Sequence, residues 1–309
     1  MENQSKSIWK NLFFALSLAV GSLLSLDNSL ALAADPFREQ NVREIGELTE
    51  SAFKTVFLRG NYLTVEEQLD LAETEETNEP LIYAMQASLA YTKEDWTSLQ
   101  QYALKTLETA SAIGSEDPLR SNLYLAVGHF LNGAYLYHEQ GAIAAIDKLQ
   151  MVFKYLDRAE DIDRDDPELN LIKGYMDLLL AVNLPFSSPE QAIARFETYA
   201  APNYLVNRGI AVAYRDLKQY QRALEYANKA LEIAPENPEH YYLKGQILRQ
   251  IGKEQSNITV LEEALENFAI AADYSEQLPE SVIEPLEREI RQTQEKIAEI
   301  ETESARKFP

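Results

Sequence analysis

Cysteine is absent from this 309-residue chain, which excludes disulfides, thiolate metal sites, a cysteine nucleophile and a lipid-modified amino-terminal cysteine. Histidine is nearly absent as well: His129, His138 and His240 leave little for metal or acid–base chemistry. Basic residues are scarce, 28 against 50 acidic ones, and the net charge of −22 repels phosphate at long range, which argues against nucleic acid as a partner. Long apolar runs are missing beyond the first 34 residues. The stretch from Met176 to Leu184 contains Asp177 and stops at Pro185, so membrane contact is expected to be peripheral at most. What is present is an ordinary 46% hydrophobic content, enough for a packed core and too much for a disordered tail.

The amino terminus reads as an address. Lys6 and Lys10 precede fifteen uncharged residues from Leu12 to Leu26, and Ala31-Leu32-Ala33 supplies a small-x-small cleavage signal before Ala34. Residues 1–33 are therefore expected to be a secretory signal peptide and 34–41 a linker. The alternative is an uncleaved anchor, against which the uncharged run stops at Asp27, short of the roughly 20 residues that span a bilayer. Export would place the mature chain in a periplasm-like compartment, which a chain without cysteine fits.

From Ile45 onward apolar residues recur at spacings of three and four, as in Ala52, Val56 and Phe57, while strand-like alternation is nearly missing. Gly60, Pro80, Pro118, Gly141, Pro167, Pro202, Pro235, Pro238 and Pro279 separate the periodic runs. An all-α protein follows, and its helices repeat. Tyr204 to Asn237 is a 34-residue unit followed at once by a second start at Pro238. Counted from Tyr204, Ala211 falls at position eight, Tyr214 at eleven, Tyr220 at seventeen, Ala223 at twenty, Ala230 at twenty-seven and Pro235 at thirty-two.

This unit resembles the tetratricopeptide repeat, whose small residues let two helices of a pair approach closely. From Pro238 the same pattern puts Tyr241 at four and Gly245 at eight, with Ala264, Phe268 and Ala271 arriving seven residues late, so Glu254 to Thr259 is expected to be an extended turn. From Pro167, Gly174 takes position eight, and Ala192 with Phe196 marks the second helix after a loop from Pro185 to Pro189. Weaker units begin near Gly46 and Pro80, with Tyr62 and Trp96 both at seventeen, and Asp117 to Arg164 forms a longer pair. The resemblance implies a right-handed superhelical solenoid of about six helix pairs. Residues 42–166 would be a degenerate repeat region and 167–279 the better-preserved one. Residues 280–309 would form a capping helix with Leu286, Ile290, Ile297 and Ile300 on its apolar face; a coiled-coil dimer seam is the competing reading, and a monomer is favoured.

Candidate chemistry is sparse. Asp161, Asp163, Asp165, Asp166 and Glu168 imitate the start of a calcium loop, but Pro167 stands at its seventh place and Ile172 where the bidentate glutamate belongs, so the tract is expected to be an acidic turn that caps the next helix. His138-Glu139 lacks the second histidine of a zinc-peptidase motif. Neither metal nor cofactor is expected, and the protein is not expected to be an enzyme. Seven carboxylates between Gly60 and Thr92, with no basic residue among them, form either a solvated face or a docking surface for a basic partner.

The resemblance also implies a site. In tetratricopeptide repeats, positions two, five, nine, twelve and thirteen of the first helices line a concave groove; here these are Leu205, Arg208, Val212, Arg215 and Asp216, then Glu239, Tyr242, Gln246, Arg249 and Gln250. Arg215 and Arg249 share position twelve, which suits a carboxylate-bearing or extended peptide, unless the arginines pair with nearby acids such as Asp216. The chain is similar to exported bacterial, including cyanobacterial, proteins of this repeat type, and that resemblance implies an exported scaffold or assembly factor binding protein or peptide partners in a periplasm or thylakoid-lumen-like compartment. The alternative is a helical-repeat protein that grips or acts on an envelope polymer such as peptidoglycan or polysaccharide.

Overall fold

The computed structural model describes residues 35–38, 40–183 and 189–307. The leader 1–33 and Ala34 lie outside the described residues, as does most of the loop expected from Pro185 to Pro189. Thirteen α-helices and no strand occur among the described residues. They are α1 (Glu47–Phe57), α2 (Val65–Glu75), α3 (Pro80–Thr92), α4 (Trp96–Ala112), α5 (Pro118–Gln140), α6 (Ala142–Ile162), α7 (Pro167–Asn183), α8 (Pro189–Thr198), α9 (Asn203–Asp216), α10 (Tyr220–Ile233), α11 (Pro238–Gln255), α12 (Ile258–Asp273) and α13 (Glu280–Lys307). Consecutive helices pack in six pairs, each touching the next, with α13 lying on the last: an all-α, tetratricopeptide-repeat-like solenoid with a capping helix.

Two kinds of turn generate the array. Within five of the pairs the reversal contains a residue with positive φ: Gly60 (62°), Glu94 (56°), Gly141 (83°), Lys218 (58°) and Ser256 (49°). Between pairs, a side chain caps the next first helix just before a proline that starts it. Glu79, Asp117 and Asn237 accept from the backbone N–H groups of Leu81, Arg120 and Glu239, and Asp166 from that of Leu169, at 2.8–3.0 Å. A proline at the first helical position has no N–H to waste, and the capping oxygen satisfies one of the donors left behind it.

Small residues then let the helices close. Phe196 of α8 is wedged between Gly174 of α7 and Gly209 of α9; a methyl group on either glycine would stand 2.5–2.6 Å from its ring. Phe268 fills the same role against Gly245. Ala192, Ala211, Ala223, Ala230, Ala264 and Ala271 are all buried, at the positions the repeat pattern assigns to small residues. On α13, Val282 and Leu286 join Ala264, Phe268 and Ala271 in the terminal core.

Two expectations need correction. The extended turn from Glu254 to Thr259 does not exist: α11 continues to Gln255, and only Ser256 and Asn257 separate it from α12. The extra residues lengthen both helices, and the reversal comes where Ser256 adopts left-handed geometry and the Asn257 side chain caps α12. The linker at 34–41 is also not a free tether over its described part. Phe37 is buried and meets Phe53 edge-on at 5.1 Å, and Asp35 and Arg38 are held in ion pairs.

Candidate functional site

The ten groove residues come together along α9 and α11, but the chain itself occupies much of the strip. Leu205, Arg208, Glu239, Tyr242 and Arg249 are buried; Val212, Arg215, Gln246 and Gln250 are half-buried, and Asp216 is exposed. Arg215 ties the two helices together, its Nη1 donating to Gln246 Oε1 at 2.9 Å while its Nε donates to the adjacent Asp216 at 3.0 Å. Arg249 is not free for a ligand: it pairs with Glu289 at 2.8 Å and donates to Gln292 at 2.7 Å, both on α13. Position twelve therefore holds two arginines with different roles, one a brace for the capping helix and one at the surface.

The other end of the strip is covered by the connection between α1 and α2. Tyr62 donates its hydroxyl to Glu239 Oε1 at 3.3 Å and its backbone N–H to Gln277 O at 2.9 Å, and Asn237 Nδ2 donates to Phe57 O at 3.0 Å. Gly60, at φ 62°, passes so close to Asn237 that a methyl group there would lie 2.6 Å from its Oδ1. The first helix pair thus lands on the last repeat. Burial pushes the Glu239 carboxyl up to about 7 against the opposing pull of Arg208, while burial and Arg208 together hold His240 down to about 3. Tyr175 of α7 donates to Leu205 O at 2.9 Å, and burial raises it to about 12.

A second polar cluster was not foreseen. Arg38 and Arg43 reach across the first turns of α5 and α7: Arg43 pairs with Asp117 at 2.7 Å and donates to Glu168 at 3.1 Å, and Arg38 pairs with Asp35 at 2.8 Å and with Asp166. Arg120 holds Glu79 through two parallel bonds of 2.6 and 2.7 Å. Tyr124 donates to Glu168 at 2.7 Å. Glu168 is completely buried, and burial raises its pKa despite Arg120 and Arg38. The signal available in the sequence was the acid before three helix-starting prolines, Glu79, Asp117 and Asp166, which marks where these pairs present carboxylates along one edge.

The acidic tracts are largely spoken for. Asp166 caps α7, and no cluster of three or more His, Asp or Glu side chains able to hold a metal occurs among the described residues. In the acidic stretch between Gly60 and Thr92, Glu66 pairs with Lys93, Glu73 with Lys105 and Glu79 with Arg120, while Glu76 accepts from the N–H groups of Leu48 and Thr49 at 2.9 Å. His138 stacks on Trp96 at 3.8 Å, a surface ring contact. None of the described helices is long and apolar enough to cross a membrane.

Residues 208–237 match the family model of the tetratricopeptide repeat. None of the curated proteins compared with the chain matches it. The matched segment spans α9 from Arg208, all of α10 and the turn into α11, so it includes the half-exposed Arg215 and the cap Asn237. The chain thus carries a tetratricopeptide repeat, a helix pair through which proteins bind other proteins, set within an array of similarly packed pairs.

Proposed function

We propose that the protein is an exported scaffold that binds an extended, carboxylate-bearing segment of a partner protein along the strip Val212, Arg215, Asp216, Gln246 and Gln250, and does no chemistry itself. The observation that carries the reading is Arg215. It sits in the matched repeat, keeps part of its guanidinium at the surface, and is oriented across two adjacent first helices by Gln246 and Asp216. Its Nε and Nη2 face Asp216, the competing pairing, so an incoming carboxylate would share or displace Asp216 on a guanidinium that is already held in place at little entropic cost. The leader pattern at residues 1–33 supports export to a periplasm-like or lumen-like space, and the charge of −22 favours a protein over a nucleic acid as partner.

Crosslinking of the mature protein in its native envelope, repeated with Arg215→Ala/Gln246→Ala, tests this. Loss of the main crosslinked partner, with helicity and melting unchanged, is the expected result. An unchanged set of partners would remove the strip from the function.

A further inference from the structure

We propose that the contact between the α1–α2 connection and the first turn of α11 is a pH-sensitive clasp, closed in mild acid and loosened in mild alkali, with Glu239 as its titrating group. The geometry is that of a joint between parts of the chain 177 residues apart. Two hydrogen bonds make it, Tyr62 to Glu239 and Asn237 to the Phe57 carbonyl, and a third, Tyr62 N–H to Gln277, ties the same connection to the segment after α12. Glu239 is at its centre and buried, and its second oxygen, Oε2, has no hydrogen-bond partner. An ionised carboxylate in that position keeps one oxygen dry and unsatisfied, which is the costly arrangement; a neutral carboxyl loses far less.

The groups facing Glu239 are Tyr62 from the α1–α2 connection, Arg208 from α9 and Tyr175 from α7. Arg208 and the hydrogen bond donated by Tyr62 favour the charged form, and burial outweighs both. The closed-state value is about 7, against 4.5 for a solvated glutamate. Because the closed-state value is raised, the closed state holds its full advantage below pH 4.5. It loses that advantage as the pH rises towards 7 and has none left to lose above it. The open-to-closed ratio therefore climbs by on the order of a hundredfold across that window. Opening would uncover Glu239, Arg208 and Asn237, the covered end of the groove strip. Control of partner binding thereby rests on the reading above, whereas the clasp itself does not.

Hydrogen exchange of the full mature chain, corrected for the intrinsic effect of pH, tests the clasp directly. Protection of peptides covering residues 57–62 and 237–240 should fall by tens of fold between pH 5 and pH 8, with α3 to α6 unaffected. Glu239→Gln should hold both peptides at one level of protection at either pH. Tyr62→Phe should lower protection at both ends of the range, since it removes a bond without removing the titrating group. If the wild-type chain shows no local loss of protection, or the glutamine variant shows the same pH dependence, the clasp is wrong. Should the glutamine variant not fold, the wild-type and Tyr62→Phe profiles still decide the matter: protection independent of pH in both overturns it. Partner crosslinking at pH 5 and pH 8 separates the two proposals, because the clasp can open on schedule in a chain whose strip binds nothing.

Discussion

At the scale of single residues, the small side chains carry the fold. Gly174 and Gly209 receive opposite edges of the Phe196 ring, so the ring occupies volume that any larger residue would claim. Gly174→Ala must push a packed aromatic or spread α7 from α8, at a cost of about 1–3 kcal/mol, measured as a lowered urea midpoint with unchanged slope. A change without effect would mean that the wedge is looser than its 2.5 Å approach implies. Positions of this kind were legible in the sequence, because alanine and glycine at fixed intervals serve a geometric need that each pair shares. Arg208 and Arg249 were not legible in the same way. Their register was clear, but whether a side chain at that register meets solvent or another segment depends on what lies across from it, and the repeat pattern is silent about that.

At the scale of elements, the turns decide where each pair begins and ends. Lys218 reverses the chain between α9 and α10 at φ 58°, a conformation that strains branched side chains most. Lys218→Val should destabilise by about 1–2 kcal/mol, while Lys218→Gly should be neutral or slightly stabilising; thermal denaturation of the pair of variants separates backbone strain from loss of the lysine charge. The reversal between α11 and α12 is tighter than its sequence length suggests. Seven extra residues were legible as an insertion, but a loop and two longer helices have the same length in sequence. What distinguishes them is whether Glu254 and Gln255 can continue the helical hydrogen-bond ladder until Ser256 ends it, and they do.

At the scale of the whole molecule, the amino-terminal arm turns an open array into one whose ends meet. Arg38 and Arg43 fasten it to the first turns of α5 and α7, and Phe57 to Tyr62 carries it to α11. Arg38→Gln/Arg43→Gln should free residues 35–46 for cleavage by a protease while leaving the helices of the later repeats intact. Melting should fall by several degrees, since buried Asp166 would lose both its arginines and buried Glu168 would keep only Arg120 and Tyr124. Equal protease resistance in the variant and the parent would show that the apolar contacts of Phe37 and Ile45 suffice alone. Conversely, a variant that melts in two steps would show that the arm is what makes the repeats unfold together.

The sequence by itself determined the helical class, the paired repeat, the small-residue crossings and the capping helix, because each follows from spacing along the chain and from contacts between neighbours. The tertiary structure alone decided which part of the groove is open. Residues 35–62 and α13 reach Glu239 and Arg249 across separations of tens to hundreds of residues, and such contacts leave no period in the sequence to read. The arm has its own physical reason to dock: carboxylates collected at the edge where α5 and α7 start need counter-charge, and in a chain with so few basic residues Arg38 and Arg43 provide it beside Arg120.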